Sequence, residues 1–554
     1  DQLCATEKRR RRKRGTLADP DRRVFINEAV CEGCGDCGRT SNCLSVIPVE
    51  TEFGRKRQID QSSCNKDMTC VDGFCPSFVT VEGGTPRKPP AADLDDLLAA
   101  PLPDPELPGL ARPWSVLIAG VGGTGVVTIA QLLAWAAHID GRGVVVLDQI
   151  GLAQKYGGVT SHVRIAVSPE GLHASKIGVG GADLLLGCDL VQASSAEVVA
   201  RCDGERTTTV LNDHGSPTGD FTRQPDAVFP GDLLNTRLDR ASRRVIRHDI
   251  TDWATALFGD SIAGNTMLLG AAWQAGELPL SADAIEQAIA LNGVAIEANR
   301  RAFRIGRLCI ADPAAVAAAV ARARPVAPGR SIAEDLDTIV ARRVEHLTRY
   351  QNAAYAARFA TLVARVAAVE EAVLPGETSL TEAVARGYHK LLACKDEYEV
   401  GRLYSDGAFQ AQLATAFQGR TRLCFHLAPP LIARTDPATG RAAKQSFGPW
   451  VRHVFRALAA MKGLRGTPFD PFGRSAERRA ERVLIGRYEQ DVESILASLS
   501  PAKHRLAVEL ARVPQEIRGF GPVKMAAMEK AAARAAQLRD ALQHLPHEQR
   551  TAAE

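Results

Sequence analysis

Apolar and polar positions repeat with different periods along this chain of 554 residues. Between residue 114 and about residue 310, short apolar runs typical of buried strands alternate with stretches of helical period, which is the pattern of an α/β-layered domain. From about residue 325 to the end, apolar residues recur at the 3.6-residue spacing of amphipathic helices. The pattern therefore predicts a doubly wound α/β domain at 114–310 and a mostly helical domain at 325–554.

The residues before 114 lack this pattern and fall into three segments. Residues 1–23 include seven consecutive basic residues, Lys8 to Arg14, which repel one another and predict a solvated junction. Residues 24–82 hold a cluster of cysteines, and residues 83–113 contain eight prolines. Because proline interrupts helices and central strands, we expect a semi-rigid linker at 83–113.

The overall composition narrows the class of protein. Hydrophobic residues make up 45% of the chain and charged residues 24%, which is ordinary for globular protein and excludes wholesale disorder. No run of about 18 apolar residues occurs, so we expect no membrane partner. The net charge is only +4, and a nucleic-acid partner, which would need basic residues beyond one short arm, is not expected. No secretory leader follows Asp1, and clustered thiols suit a reducing compartment, so we expect a cytoplasmic location.

Seven of the 13 cysteines lie between residues 31 and 75. A C-x2-C-x2-C triplet followed by a distant Cys-Pro pair is the ligand pattern of a bacterial-type ferredoxin, so residues 24–82 predict a ferredoxin-like iron–sulfur domain. Two-residue spacers let one loop aim three thiolates at one cluster. Zinc, the alternative metal, needs neither the triplet nor the Cys-Pro pair. The first [4Fe–4S] cluster is therefore assigned to Cys31, Cys34, Cys37 and Cys75.

The second half of the cysteine segment departs from this pattern, because Asp67 stands where a middle cysteine is expected. A carboxylate is a harder iron ligand than a thiolate. A second cluster would be a [4Fe–4S] cluster with one Asp ligand, or a [3Fe–4S] cluster with that corner empty. The alternative is that Asp67 only caps a loop and a single cluster exists. The candidate ligands of the second cluster are Cys43, Cys64, Asp67 and Cys70.

A glycine-rich turn follows the first predicted strand of the α/β domain. The strand at 114–119 runs into a G-x-G-x-x-G turn, then a helix, then a strand at 143–147 that ends in Asp148. This order is the context of a Rossmann-type phosphate site, in which free N–H groups at the helix start bind an anion. The alternative is a turn that serves only close packing of helix and strand. The candidate residues of the turn are Gly120, Gly122, Gly123, Thr124 and Gly125.

A second glycine loop comes directly after the second strand. We expect it to place its side chains near the carboxyl ends of the strands, where open α/β sheets bind ligands. Asp148 occupies the position of a ribose-binding acid, so one functional hypothesis is an NAD(P)H-dependent iron–sulfur reductase. The candidates in the loop are Lys155, Gly157, Gly158 and His162.

Three long motifs carry a family likeness: Asn27–Cys37, Gly120–Thr128 and Gly151–Ile165. On these motifs the chain resembles the fused indolepyruvate ferredoxin oxidoreductases, which belong to the 2-oxoacid:ferredoxin oxidoreductases. The resemblance extends over nearly the whole chain. Shorter similar blocks lie at 262–270, 350–355, 395–400 and 426–430.

The resemblance implies an oxidoreductase that decarboxylates an aryl 2-oxoacid such as indolepyruvate to an acyl-CoA and passes electrons through iron–sulfur clusters to ferredoxin. Thiamine diphosphate with magnesium, and coenzyme A as co-substrate, serve the complete enzyme, which is expected to be a homo-oligomer. The region 114–310 resembles the gamma domain of the family, and the region 325–554 resembles a helical extension of unknown role.

The sequence has no GDG…N pair of the kind that holds magnesium and the diphosphate of thiamine diphosphate. The chain is therefore expected to be the C-terminal portion, without thiamine diphosphate domains and without catalytic residues of its own, and to be inactive alone. Either it is one piece of a longer polypeptide, or a separate subunit supplies the thiamine half. Two polar groups have structural interpretations: Asn265 predicts a helix cap, and Lys395–Glu397 predict a salt-bridged helix face.

Overall fold

The structure is a computed structural model of the chain. It describes residues 7–8, 11–12, 15–87, 94–99, 101–151, 157–323, 332–333, 335–429 and 442–544. The chain divides into two compact units. The first consists of Asp1–Asp19, Lys88–Thr218 and Val228–Ala327, and the second of Pro20–Arg87, Gly219–Ala227 and Pro328–Glu554.

The secondary structure of the described residues follows the chain order. The strands are β1 (Arg22–Ile26), β2 (Val46–Val49), β3 (Lys56–Ile59), β4 (Phe78–Glu82), β5 (Thr85–Pro86), β6 (Trp114–Val121), β7 (Gly143–Ile150), β8 (Gly158–Ala166), β9 (Leu184–Gly187), β10 (Thr208–Asn212), β11 (Arg244–His248), β12 (Phe417–Gln418), β13 (Arg422–Leu427) and β14 (Gln445–Phe447). The α-helices are α1 (Asp36–Ser41), α2 (Asp95–Ala99), α3 (Val126–Ile139), α4 (Leu190–Ala193), α5 (Ala196–Val199), α6 (Gly231–Ala241), α7 (Ile250–Phe258), α8 (Gly264–Gln274), α9 (Ala282–Asn292), α10 (Ile296–Ala311), α11 (Pro313–Ala323), α12 (Leu336–Tyr350), α13 (Ala353–Val373), α14 (Ser379–Leu392), α15 (Glu397–Ser405), α16 (Ala408–Ala416), α17 (Val451–Ala460), α18 (Ala476–Ser498), α19 (Pro501–Arg512) and α20 (Gly521–His544).

A six-stranded sheet forms the centre of the first unit, in the order β11-β10-β9-β6-β8-β7. Strands β11, β10, β9 and β6 are parallel to one another, whereas β8 runs antiparallel to both β6 and β7. Apolar side chains of α3, α8, α9 and α10 cover one face of the sheet, and those of α4 and α6 cover the other. The predicted α/β layering of this region is confirmed.

Strand β8 occupies a position where the sequence predicted a loop. It lies between β6 and β7, so the two strands of the predicted strand–turn–helix–strand unit are not neighbours. A Rossmann unit pairs these strands directly, and the Rossmann-like expectation therefore holds for the order of the elements but not for their pairing. The mixed sheet follows from this inserted strand.

The cysteine-rich segment and the helical region belong to the same unit. Strand β4 pairs antiparallel with β1 on one edge and with β13 on the other, which produces a four-stranded sheet in the order β1-β4-β13-β14. A second pairing joins β5 to β12. Where the sequence suggested separate domains at 24–82 and 325–554, the structure shows strands from both in one sheet.

Helices dominate the described residues from 335 onward, as predicted, and α12, α13, α14, α18, α19 and α20 enclose a large apolar core. The predicted linker contains the short helix α2, and the adjoining Leu94 is buried in the core of the first unit. Part of the predicted basic junction lies outside the described residues. Among the described helices, none has the length and apolar character that a membrane span requires.

Candidate metal centre

The first cysteine loop is a tight backbone turn that depends on glycine. Gly33 and Gly35 have φ angles of +68° and +77°, which L side chains rarely adopt. The Gly33 N–H donates to the Cys31 Sγ at 3.3 Å. A Cβ atom at Gly33 would also collide with the carbonyl of Arg55. The loop thus brings a backbone donor close to a thiol sulfur, as the spacing predicted.

The second loop repeats this backbone path without glycine. Lys66 and Met68 have φ angles of +56° and +65°, and the Lys66 N–H donates to the Cys64 Sγ at 3.4 Å. Positive φ is strained for such residues, and strain of this kind clusters at functional sites. Asp67 occupies in this loop the place that Cys34 has in the first.

The cysteines gather in the two sets that the spacing predicted. Four cysteines line a single cavity, together with Arg57. Burial and the neighbouring thiols raise the pKa of Cys34 to about 12, with Cys75 and Cys31 as the closest contributors. The members of this first thiol set are Cys31, Cys34, Cys37 and Cys75.

The thiols of the second set show the same electrostatic coupling to their neighbours. Burial raises the pKa of Cys70 to about 12, with further contributions from Cys43, Cys64 and Asp67. Thiols that resist ionisation so strongly become ligands when a cation compensates their charge. The thiols of the second set are Cys43, Cys64 and Cys70, and Asp67 lies within electrostatic reach of Cys70.

In this structure Asp67 caps a loop, which is the alternative to its role as an iron ligand. Its side chain is exposed, and Oδ1 accepts hydrogen bonds from the Thr69 N–H at 3.3 Å and the Thr69 hydroxyl at 3.1 Å. Burial is the main cause of the raised pKa of Cys64, and the carboxylate of Asp67 lies near enough to add a contribution that is smaller than that of Cys43. Both roles that the sequence left open for Asp67 remain predictions.

The four cysteine sulfurs and a nitrogen of Arg57 that is unpartnered among the described residues indicate which kind of group the first cavity could bind. Four soft sulfur donors around one cavity suit an iron–sulfur cluster. Arg57 is 2% exposed, and its buried Nη1 has no hydrogen-bond partner among the described residues. An unpartnered buried donor is costly, and a negatively charged cluster in the cavity that Arg57 lines would satisfy it. The residues present therefore fit the predicted cluster.

A short segment of the chain between β10 and α6 covers this first loop. Phe221 of this segment stacks its ring on Arg57, whose guanidinium carbon lies 4.1 Å from the ring centroid. Arg57 Nη2 donates to the Pro225 carbonyl at 3.0 Å, and a Cβ atom at Gly35 would lie 2.6 Å from the Pro225 side chain. We call residues 219–227 the covering segment. Sequence analysis missed it, and no local signal in the sequence marks it.

Lysines from the helical region also reach the first thiol set. Lys395 Nζ donates to the Cys31 carbonyl at 2.9 Å and lies 2.8 Å from the Glu32 carboxylate, which also binds Lys390. Burial opposes ionisation of Glu32, but Lys390 and Lys395 outweigh it, so the pKa of Glu32 is held well below its usual value. The predicted helix-face role of Lys395 is wrong. It precedes α15, and its partner comes from the cysteine loop rather than from a helix neighbour.

Lys444 is a second such lysine. Its Nζ donates to the Val71 carbonyl at 2.7 Å and lies 5.1 Å from the centroid of the Phe78 ring. Burial lowers the pKa of Lys444, and the nearby Cys75 and Cys37 act in the opposite direction. The ammonium group therefore lies within electrostatic reach of the first thiol set.

In the glycine-rich turn of the first unit, Gly120 serves packing, whereas Gly123 and Thr124 are exposed. Gly120 lies within β6, where a Cβ atom would meet Cys188 Cβ at 2.9 Å, so this glycine serves packing rather than ligand contact. Gly123 and Thr124 are exposed, and Gly125 precedes α3 with a φ of +103°. Asn265 was predicted to cap a helix, but its Nδ2 instead donates to the Thr124 carbonyl at 3.0 Å and braces the turn.

The second glycine loop does not place its described residues as the sequence predicted. Lys155 lies outside the described residues, and Gly157 accepts from the Gly122 N–H at 2.8 Å. Gly158 begins β8 and packs against the side chain of Gln192. His162 does not lie at the carboxyl ends of the parallel strands, because it pairs in mid-sheet with Leu117 and is 1% exposed.

Two hydrogen bonds fix the buried imidazole of His162. Its Nδ1 accepts from the Ile177 N–H at 3.2 Å, and its Nε2 lies 3.0 Å from Gln149 Oε1. Burial lowers the pKa of His162 to about 4, with smaller contributions from Arg201 and Lys176. The ring is therefore a neutral core group, and it is not placed to contact a cofactor.

Asp148 also fails to support a nicotinamide site. It lies on β7, accepts a hydrogen bond from the Ser161 hydroxyl, and is separated from the glycine-rich turn of β6 by the antiparallel β8. A ribose-binding acid belongs at the end of the strand next to that turn. The geometry disfavours the NAD(P)H-dependent reductase.

Comparisons with known proteins cover two parts of the chain. The model of the pyruvate ferredoxin/flavodoxin oxidoreductase family matches residues 115–309, and that of DUF6537, a family of unknown function, matches residues 336–537. The chain is similar to the indolepyruvate oxidoreductase subunit IorB of Pyrococcus horikoshii, with 26% identity over 205 residues, 35% of this chain and 95% of that protein. The IorB subunit of Thermococcus kodakarensis is 28% identical, with the same coverage of both chains.

A solved structure is also similar over part of the chain. It is the pyruvate oxidoreductase subunit PORC of Thermotoga maritima, with 20% identity, 35% of this chain and 96% of that one covered, and a TM-score of 0.26. The family match and the IorB relatives coincide with the α/β domain that the resemblance assigned to the gamma type. Residues 115–309 are therefore a gamma-type domain of the pyruvate ferredoxin/flavodoxin oxidoreductase family, and the predicted membership in the 2-oxoacid:ferredoxin oxidoreductases is confirmed for this part of the chain.

Proposed function

We propose that this chain is the iron–sulfur, electron-transferring and gamma-domain portion of an indolepyruvate, or aryl 2-oxoacid, ferredoxin oxidoreductase. The observation that carries the proposal is the pair of cysteine loops with one backbone path, in a chain that also contains a gamma-type domain. The complete enzyme would oxidise a 2-oxoacid to an acyl-CoA and deliver the electrons to ferredoxin. We place it in the cytoplasm as a homo-oligomer.

The chain's own residues would hold two centres. Cys31, Cys34, Cys37 and Cys75 would bind the first cluster. Cys43, Cys64, Cys70 and Asp67 would bind the second, as a [4Fe–4S] or a [3Fe–4S] cluster. Iron–sulfur clusters exchange electrons one at a time at potentials set by charge, hydrogen bonds and exposure.

Several side chains prepare the first of these sites. The Gly33 N–H and the buried Arg57 supply hydrogen-bond donors, which lower the energy of negative charge on sulfur. Phe221 and Pro225 of the covering segment exclude water from the loop. Sites for thiamine diphosphate, magnesium and coenzyme A would come from other domains or from a partner subunit, as the IorB relatives are themselves named as subunits.

We also propose that the glycine-rich turn receives an anionic group. Gly122, Gly123, Thr124 and Gly125 lie at the start of α3, and the positive end of a helix favours negative charge. The N–H groups of Gly122 and Thr124 already donate to Gly157 and Val121, so those of Gly123 and Gly125 would be the donors to the anion. This proposal is secondary, because the turn is also braced internally by Asn265.

The test of the main proposal is anaerobic reconstitution of the full chain with iron and sulfide. We expect about four irons for the first cluster, about three or four for the second, and the electron paramagnetic resonance signal of a reduced cluster. Cys37→Ala should remove the first cluster and Cys64→Ala the second. Cys309→Ala, which removes a buried cysteine outside both sets, should change neither. Zinc in place of iron, or equal iron content in all three variants, would contradict the proposal.

Activity provides an independent check. The reconstituted chain alone should not reduce ferredoxin with indolepyruvate, even with added thiamine diphosphate. Addition of the thiamine diphosphate-binding component should restore the reaction. Stoichiometric bleaching of the clusters by NAD(P)H alone would instead favour the nicotinamide-dependent reductase.

A further inference from the structure

The helical region of unknown function places more positive charge near the first thiol set than near the second. Lys395 donates to the carbonyl of Cys31 in the first set. Lys444 donates to the carbonyl of Val71, beside Cys70 of the second set, but its ammonium group lies over the ring of Phe78, which lines the cavity of the first set. Both lysines fall within 336–537, the range that the DUF6537 family model matches. The asymmetry suggests a role for this region in electron transfer.

Lys395 provides a charge that its local partner does not cancel. Glu32 is one carboxylate, and it binds both Lys390 and Lys395. One of these two lysines is therefore in excess. Because Lys395 also donates to the Cys31 carbonyl, its ammonium group is fixed beside a proposed cluster ligand.

Lys444 approaches the same set from another element. It precedes β14, and its hydrogen bond to the Val71 carbonyl holds the ammonium group over Phe78, close to Cys75. Among the charged groups that act on Cys75, Lys444 is the foremost. Its positive charge therefore reaches the first set independently of the Glu32 pair.

The remaining charges near the first set do not cancel these lysines. Arg57 adds positive charge from β3, and Asp36 and Asp72 are the carboxylates that oppose it. Burial lowers the pKa of Lys56, so this lysine is not counted among the charges. The charged groups that act on Cys64 of the second set include Asp67 and Arg23, neither of which belongs to the helical region. The first set thus lies in the more positive surroundings.

We propose that Lys395 and Lys444 raise the reduction potential of the cluster held by Cys31, Cys34, Cys37 and Cys75, and that supplying these charges is a function of residues 336–537. The inference rests on the proposed function, because it requires a cluster at this site. Reduction adds one electron and one unit of negative charge, and no bond forms or breaks. The electron would come from oxidation of the 2-oxoacid in the complete enzyme, and it comes from dithionite in the experiment below. Fixed positive charges in a poorly solvated site favour the reduced state.

The experiment is a redox titration of the reconstituted full chain, followed by electron paramagnetic resonance. The variants are Lys395→Met and Lys444→Met, which keep side-chain length and remove the charge. Lys395→Arg keeps the charge, and Lys530→Met removes an exposed lysine of the same region as a matched control. The signals of Cys37→Ala and Cys70→Ala assign each reduction step to its thiol set.

Each charge-removing variant should decrease the ratio of reduced to oxidised first cluster about tenfold at a given potential, which corresponds to a midpoint shift of about 59 mV for one electron. The second cluster should shift much less, and Lys395→Arg and Lys530→Met should match the wild type. The two lysines lie on different elements, so loss of folding in one variant leaves the other as a test. Unchanged midpoints with full iron content, or equal shifts of both clusters, would overturn the inference and leave the proposed function standing. A wild-type chain that binds no cluster would overturn both.

Discussion

Replacing Arg57 tests whether the covering segment closes the first thiol set from water. The guanidinium is buried, lies 4.1 Å from the ring centroid of Phe221, and donates to the Pro225 carbonyl at 3.0 Å. A cation–π contact contributes about 0.5–2 kcal/mol, and a hydrogen bond from a charged donor contributes about 1.5–3 kcal/mol. Part of this is retained in Arg57→Met, because Arg55 also donates to the Pro225 carbonyl and Met keeps an apolar contact with the ring. A net loss of about 2 kcal/mol would increase the open population of the segment about 30-fold.

Two measurements report that opening in the reconstituted protein. Hydrogen exchange of a peptide that contains residues 219–227 should accelerate by about that factor in Arg57→Met, because the short turns of the segment depend on its docking. Bleaching of the cluster in air should accelerate as well, since the loop becomes accessible. Arg39→Met removes an exposed arginine from α1 and should behave like the wild type. If exchange in 219–227 is the same in Arg57→Met as in the wild type, the segment is not held by this arginine and the reasoning fails.

Two further predictions concern single residues. Asp67→Cys should convert a [3Fe–4S] signal of the second cluster to a [4Fe–4S] signal and increase the iron content by about one atom, because a thiolate then completes the fourth corner; an unchanged spectrum would show that Asp67 is not at a ligand position. For His162, burial lowers the folded-state pKa to about 4, below the unfolded value, so stability is complete above about pH 6.5 and falls as the pH drops toward 4. Between pH 7 and pH 5 this amounts to about 2 kcal/mol, and urea unfolding should show that His162→Gln lacks this part of the pH dependence; an identical loss in the variant would contradict the assignment.

The sequence predicted the two thiol sets because ligand spacing is a local property. Cys31, Cys34 and Cys37 lie on one turn, and the Cys-Pro pair marks Cys75 as the fourth member. The lysines that surround the first set were not predictable in this way. The hydrogen bond from Lys395 to Cys31 spans 364 residues, and a single sequence carries no signal for such a contact.

Strand β8 was predicted as a loop for a different reason. Apolar Val159, Val163 and Ile165 recur at multiples of two residues, with polar Thr160, His162 and Arg164 between them, which is a strand signal that the sequence did contain. The neighbouring Gly157 and Gly158 favoured a loop interpretation and obscured it. His162 was consequently expected near the carboxyl ends of the strands, whereas it lies within β8 and pairs with Leu117 in the middle of β6.

The pairing of β4 on both edges has a consequence for how the protein is made. Its partner β13 lies about 340 residues later in the chain, so a nascent chain displays one uncovered edge of β4 while those residues are synthesised. Val79 and Val81 on this strand are apolar, and open edges of that kind recruit strands from other molecules. A fragment that ends within the proline-rich residues 83–113 therefore has an unpaired edge of β4 and should tend to aggregate. A cluster inserted before β13 is synthesised would bind to a domain whose sheet still lacks that strand.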